Sequence, residues 1–133
     1  MIAAGHIFID RTNHEKALKS IDKIRKSLKK NPRSILIFPE GTRSLDGKMK
    51  SFKKGGIILA INSGLPIVPM ACCGTYDVLV KGSKTFNPKS IELRFAPPIP
   101  TKQNDMDNRN EITKRVENEV IRLKSEWNNI DLN

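Results

Sequence analysis

Apolar residues recur along this chain at two spacings, and the change from one to the other marks out its elements. Ala17, Ile21, Ile24 and Leu28 stand at steps of four, three and four, the spacing of one helix face. A helix is predicted from a cap at Thr12 or Asn13 to about Lys30, stopped by Asn31-Pro32. Before it, Gly5-His6-Ile7-Phe8-Ile9 reads as a short strand; after it, residues 34–38 form an apolar run that reads as a second. Phe52-Lys53-Lys54-Gly55-Gly56 leads into a second helix, with Gly64 placed to cap its C-terminus. Beyond Leu65-Pro66, a third strand is predicted over residues 67–73. A fourth, over residues 90–95, alternates apolar and polar side chains and is closed by Ala96-Pro97-Pro98. The last helix, about 108 to 128, puts Ile112, Val116, Val120, Leu123 and Trp127 on one stripe.

Strands that alternate with helices through the first half predict an α/β fold, with a partly parallel sheet flanked by helices. At 133 residues the chain suits a single domain over 1–133. No window approaches the roughly 18 consecutive apolar residues of a spanning helix. The longest apolar-rich region, from Gly55 to Cys73, is broken by Asn62, Ser63, Gly64 and Pro66. Cys72 and Cys73 are adjacent within a predicted strand, so their side chains face opposite ways. That is neither a disulfide framework nor a metal-ligand spacing, and both are expected to be small core or half-core residues.

The net charge of +10 is unevenly spread. Residues 1 to 100 hold 18 Lys and Arg against 7 Asp and Glu, a net of +11, while residues 101 to 133 hold 6 against 7, a net of −1. Lys16, Lys19, Lys23, Lys26 and Lys30 crowd the polar side of the first helix. A field of this sign attracts nucleic acid, anionic lipid or a phosphorylated small molecule, and charge alone does not choose among them. Nucleic acid is the weakest of the three: aromatics are 5% of the chain and are not interleaved with basic residues, and no RRM, KH or helix-turn-helix signature appears.

The chemistry-bearing stretch is Phe38-Pro39-Glu40-Gly41-Thr42-Arg43-Ser44. It is not a Walker loop, because five residues separate Gly41 from Gly47 and Met49 stands where a hydroxyl is needed. It fits a strand-to-loop turn in which Pro39 fixes φ, Gly41 supplies a permissive dihedral and Glu40 pairs with Arg43. It also fits a ligand loop. Arg11 follows the first strand as Glu40 to Arg43 follow the second, so neighbouring strands would bring these charged ends together, at the strand ends where α/β sheets take ligands. Lys53 and Lys54 add positive charge near a helix N-terminus, which itself favours anions. Arg11 and Arg43 suit a bidentate grip on phosphate, and Lys53 a point-charge contact. His6 and Asp10 share a strand face at roughly 13 Å, too far apart to bond directly, and His14 beside Glu15 is expected to be solvated.

Four blocks, Gly5-His6-Ile7-Phe8-Ile9-Asp10-Arg11, Phe38 to Ser44, Phe52-Lys53-Lys54-Gly55 and Leu65-Pro66-Ile67-Val68-Pro69, together resemble the sequence blocks of the glycerolipid acyltransferases, over nearly the whole chain up to Pro100. The resemblance implies a glycerolipid acyltransferase-like fold and transfer of an acyl group from acyl-CoA or acyl carrier protein to lysophosphatidate, giving phosphatidate. It implies acceptor-binding roles for Arg11, Glu40, Gly41, Thr42 and Arg43, to which the charge pattern adds Lys53, with no metal and no cofactor besides the acyl-donor substrate. It also implies peripheral association with anionic membrane at the cytoplasmic inner face. The family's base and its orienting acid come from an N-H-x-x-x-x-D block. Here His6 is followed five positions on by Arg11 and His14 by Lys19, so no catalytic pair is assigned. The chain is expected to be N-terminally incomplete relative to the family, and to transfer little or no acyl group alone. The alternative is a noncatalytic binder of phosphate, anionic lipid or nucleic acid.

Overall fold

The computed structural model describes residues 14–130. Two units divide the chain, Met1–Leu36 and Ile37–Asn133. In the first, helix α1 (His14–Lys30) follows the predicted periodicity, and Ile24 and Leu28 on its apolar stripe are buried. Lys23, Lys26, Lys29 and Lys30 are exposed. Asp22 receives Arg25 and Lys26, each at 2.9 Å. The Lys26 ammonium and then the Arg25 guanidinium hold this carboxyl below its ordinary range. Arg33 closes the helix end, donating to Ser27 Oγ at 2.9 Å and to the Asn31 carbonyl at 3.2 Å.

The second unit is built from α2 (Gly55–Ser63), β1 (Met70–Cys73), α3 (Thr75–Val78), β2 (Glu92–Phe95) and α4 (Arg109–Ile130). The α2 sequence GGIILAINS is apolar almost all round, and Ile57, Leu59 and Ile61 are buried. Gly64 ends it in the left-handed region, at φ 63°. The Gly64 and Leu65 N–H groups donate to the Ile61 and Ala60 carbonyls at 3.0 Å each, which satisfies acceptors the helix leaves over. Thr101, itself buried, directs its hydroxyl at the Leu65 carbonyl (2.8 Å) and the Ala60 carbonyl (3.2 Å).

Strands β1 and β2 pair antiparallel, with Met70 opposite Phe95 and Cys73 opposite Glu92. The ribbon extends beyond them through Ala96 N–H to the Pro69 carbonyl and a reciprocal Ile67–Ile99 bridge. Regular pairing is shorter than the predicted 67–73 because Pro66 and Pro69, like Pro97 and Pro98 opposite, have no N–H to give.

One face of the ribbon packs on α4: Ala71, Cys73, Ala96 and Leu123 form one buried cluster with Val120 and Trp127 against it. A second cluster joins Ile57, Ile61, Ile99 and Val116, with Ile112 and Phe52 packed on it. The predicted α4 stripe is thus the core seam. Cys73 is buried and Cys72 half-buried, as expected, and burial pushes the Cys73 thiol up.

One expectation is corrected. Residues 34–38 form no ladder among the described residues, and Leu36 and Phe38 are 65% and 67% exposed; an apolar run becomes a strand only where a neighbour supplies hydrogen-bond partners. The ribbon among the described residues is antiparallel. The parallel part of the expected sheet rested on residues 34–38 and on 5–9, the latter outside the described residues. The α/β class itself stands, as helices over a small sheet. In β2 the alternation holds, and the polar face is the one turned inward: Leu93 and Phe95 are exposed, while Arg94 is the covered side chain, paired with Glu92 at 2.6 Å. The stretch after Cys73, to which the sequence assigned no element, contains the short helix α3. It starts from Gly74 at φ 78°, where a Cβ would collide with the Ser90 carbonyl oxygen.

Candidate functional site

Between residue 38 and α2 the chain makes one closed loop. Pro39 and Glu40 form its turn, with Gly41 N–H donating to the Phe38 carbonyl at 3.1 Å. Gly41 stands at φ 72°, a conformation that disfavours any residue with a Cβ. The two limbs are joined at the base, where Lys53 N–H donates to the Pro39 carbonyl at 3.0 Å and Lys50 N–H donates to Glu40 Oε2 at 2.8 Å. Glu40 therefore braces the loop from within. The alternative in which it pairs with Arg43 is not what forms: Arg43 is exposed, and no ion pair to it occurs among the described residues.

A smaller turn sits at the far end. Ser44 Oγ donates to Asp46 Oδ1 at 2.9 Å, and Lys48 N–H reaches the same oxygen at 3.1 Å. The Ser44 hydroxyl, then the Lys48 N–H, hold the Asp46 carboxyl below its ordinary range.

The loop is tethered from outside at four points. Glu117 of α4 accepts from Phe52 N–H at 3.3 Å, and Lys124 of α4 donates to the Gly47 carbonyl at 2.7 Å. Tyr76 of α3 donates its hydroxyl to the Leu45 carbonyl at 3.1 Å. Lys81 donates to Thr42 Oγ1 at 3.2 Å. None of these four partners was read from the sequence, for they lie 31 to 77 residues from the groups they hold. Polar side chains beside an apolar stripe carry no periodic signal of their own.

Of the residues singled out in the sequence, Glu40, Gly41, Thr42, Arg43 and Lys53 all belong to this loop, and Arg11 lies outside the described residues. Lys53 has its backbone in the loop closure and its side chain exposed. It precedes α2, which carries no side-chain cap and no acidic residue in its first turn. Helix dipole and cations therefore have the same sign at this end of the loop, an arrangement that favours an anion. Among the described residues, no group of three His, Cys, Asp or Glu side chains could hold a metal ion, and no helix is long and apolar enough to cross a membrane.

Residues 1–73 match the family model of the acyltransferases. Relatives include a 1-acyl-sn-glycerol-3-phosphate acyltransferase of Limnanthes douglasii, 38% identical over 119 residues, 90% of this chain and 42% of that protein. The Homo sapiens 1-acyl-sn-glycerol-3-phosphate acyltransferase alpha is 31% identical over 118 residues, 89% of this chain and 42% of its own. Among solved structures, the 1-acyl-sn-glycerophosphate (LPA) acyltransferase PlsC of Thermotoga maritima superimposes with a TM-score of 0.74 at 34% identity, covering 85% of this chain and 46% of that one. The chain spans about two fifths of the length of these curated relatives.

Proposed function

The chain belongs to the acyltransferase family, and on that footing we propose that it carries the acceptor-binding part of a 1-acyl-sn-glycerol-3-phosphate acyltransferase of phospholipid synthesis. Arg43 and Lys53, on the loop that Glu40, Gly41 and Thr42 shape, grip the phosphate of lysophosphatidate. The acceptor's free hydroxyl then attacks the carbonyl carbon of an acyl-CoA or acyl carrier protein thioester. The new ester bond forms as the carbon–sulfur bond breaks, and the hydroxyl proton ends on the departing thiol. Phosphatidate is the product, and no cofactor beyond the thioester donor takes part.

The observation that carries this reading is the employment of Glu40. Its carboxylate is committed to the Lys50 N–H, so the neighbouring guanidinium of Arg43 keeps its fork of donors for a ligand oxygen pair. A loop braced in advance spares the ligand the cost of ordering it, and a phosphate fixed at one end of the acceptor orients the hydroxyl at the other. Because no histidine here stands five residues before an aspartate, the role assigned to these residues is binding and orientation. Acyl transfer by the 133 residues alone is proposed to be slight. The exposed lysines of α1 support peripheral attachment to an anionic inner membrane face.

The test is a calorimetric titration with lysophosphatidate in phosphatidylcholine vesicles, beside monoacylglycerol in the same vesicles. Both lipids are expected to bind, the phosphorylated one saturably and far more tightly than monoacylglycerol. Equal uptake of both lipids, or preference for RNA over lysophosphatidate at the same salt, would overturn the reading.

A further inference from the structure

The motif loop carries a cation that its own sequence does not contain. Lys81 lies three residues past the end of α3, in a turn closed by Ser83 N–H to the Val80 carbonyl at 3.0 Å. That segment is tied back to α3 by Asn87 N–H to the Val78 carbonyl at 2.9 Å. Helix α3 is in turn pinned to the loop by the Tyr76 hydroxyl on the Leu45 carbonyl. The Tyr76 ring lies so close over Gly47 that a Cβ there would stand 3.3 Å from it. The fold thus holds the Lys81 backbone from two sides and delivers its ammonium to Thr42 Oγ1, next to Arg43 in the chain.

An ammonium has three N–H donors, and Thr42 takes one. No carboxylate pairs with Lys81 among the described residues. A half-covered lysine held against a neutral hydroxyl gives up side-chain freedom for one hydrogen bond, an arrangement that a dianionic ligand spanning Lys81 and Arg43 would complete. Thr42 fits as the spacer between them, with its oxygen engaged on the Lys81 side.

We propose that Lys81 is a further phosphate-contacting residue of this site, selecting acceptors that bear a phosphate monoester. The proposal rests on the acceptor-binding reading given above, and one set of titrations separates the two. The full chain and its Lys81→Met, Lys81→Arg and Arg43→Ala variants are titrated with lysophosphatidate in phosphatidylcholine vesicles, with glycerol 3-phosphate in solution and with monoacylglycerol in the same vesicles.

Lys81→Met is expected to weaken lysophosphatidate and glycerol 3-phosphate by about tenfold, to leave monoacylglycerol unchanged, and to flatten the salt dependence of binding. Lys81→Arg is expected to restore most of the loss, which a merely structural role for the aliphatic stem would not require. If Arg43→Ala loses the phosphorylated ligands while Lys81→Met keeps them, the proposal falls and the acceptor-binding reading stands. If Lys81→Met loses monoacylglycerol as well, or Lys81→Arg fails to rescue, Lys81 is a prop for the loop and the proposal falls. If the unaltered chain binds neither phosphorylated ligand, both fall together.

Discussion

Between α2 and α4, Ile57, Ile61, Ile99 and Val116 are almost wholly withdrawn from water; the loop from 39 to 54, which leads directly into α2, keeps Thr42, Arg43 and Lys53 exposed. The first region is specified by apolar area, summed over many small contacts. The second is specified by a few polar bonds, each directional and each from a different element: Glu40 to Lys50, Lys124 to Gly47, Tyr76 to Leu45. A core averages its errors, whereas a tethered loop fails one bond at a time. Stability and binding in this chain should therefore answer to different substitutions.

The largest effect is expected where the packed region is cut. Ile61 is fully buried, and Ile61→Ala should lower the free energy of unfolding by about 2–5 kcal/mol, read from urea denaturation. In a chain this size that is a large share of the total, so binding should fall only as far as the folded fraction falls. A loss of less than about 1 kcal/mol would mean that the site is loosely filled and the contrast overstated.

A middle-sized effect isolates one tether. Lys124→Met keeps the aliphatic stem and removes the donor to the Gly47 carbonyl, so the cost to stability should be only about 1 kcal/mol. Amide hydrogen exchange should accelerate at residues 44–48 and not in α2 or α4. Exchange that rose uniformly would show that loop and core open as one unit.

The smallest effect concerns pH. The Asp46 carboxyl is held below its ordinary range by Ser44 and the Lys48 N–H, so its contribution is fully present above the unfolded-state value, near pH 4. It is lost as pH falls through the lower folded value. The Lys48 amide resonance should shift in that acid window and stay constant from pH 5 to 8; Asp46→Asn should abolish the shift. A transition above pH 5 would assign the titration to another group.

The same contrast explains what the sequence could and could not reveal. The α4 stripe from Ile112 to Trp127 and the Gly64 cap were legible because periodicity and local backbone demand leave marks within a few residues. Residues 34–38 misled because an apolar run records affinity for burial and says nothing of whether a partner is present. Helix α3 is four residues long, too short to show a period. The motif loop announced itself by composition, Pro-Glu-Gly-Thr-Arg, yet the sequence left open whether Glu40 served Arg43 or the backbone. That was decided by Lys50, ten residues away, and the remaining anchors came from still farther along the chain. The inward face of β2 was equally hidden, since alternation fixes which residues share a face and not which face meets α4.

Titrating the Arg43→Ala chain with lysophosphatidate, after its urea midpoint has been matched to that of the unaltered protein, tests most directly whether a pre-braced loop holds the acceptor phosphate. An unchanged midpoint with affinity reduced roughly ten- to a hundredfold, confined to the phosphorylated lipid, is predicted. Affinity equal to that of the unaltered chain would contradict it.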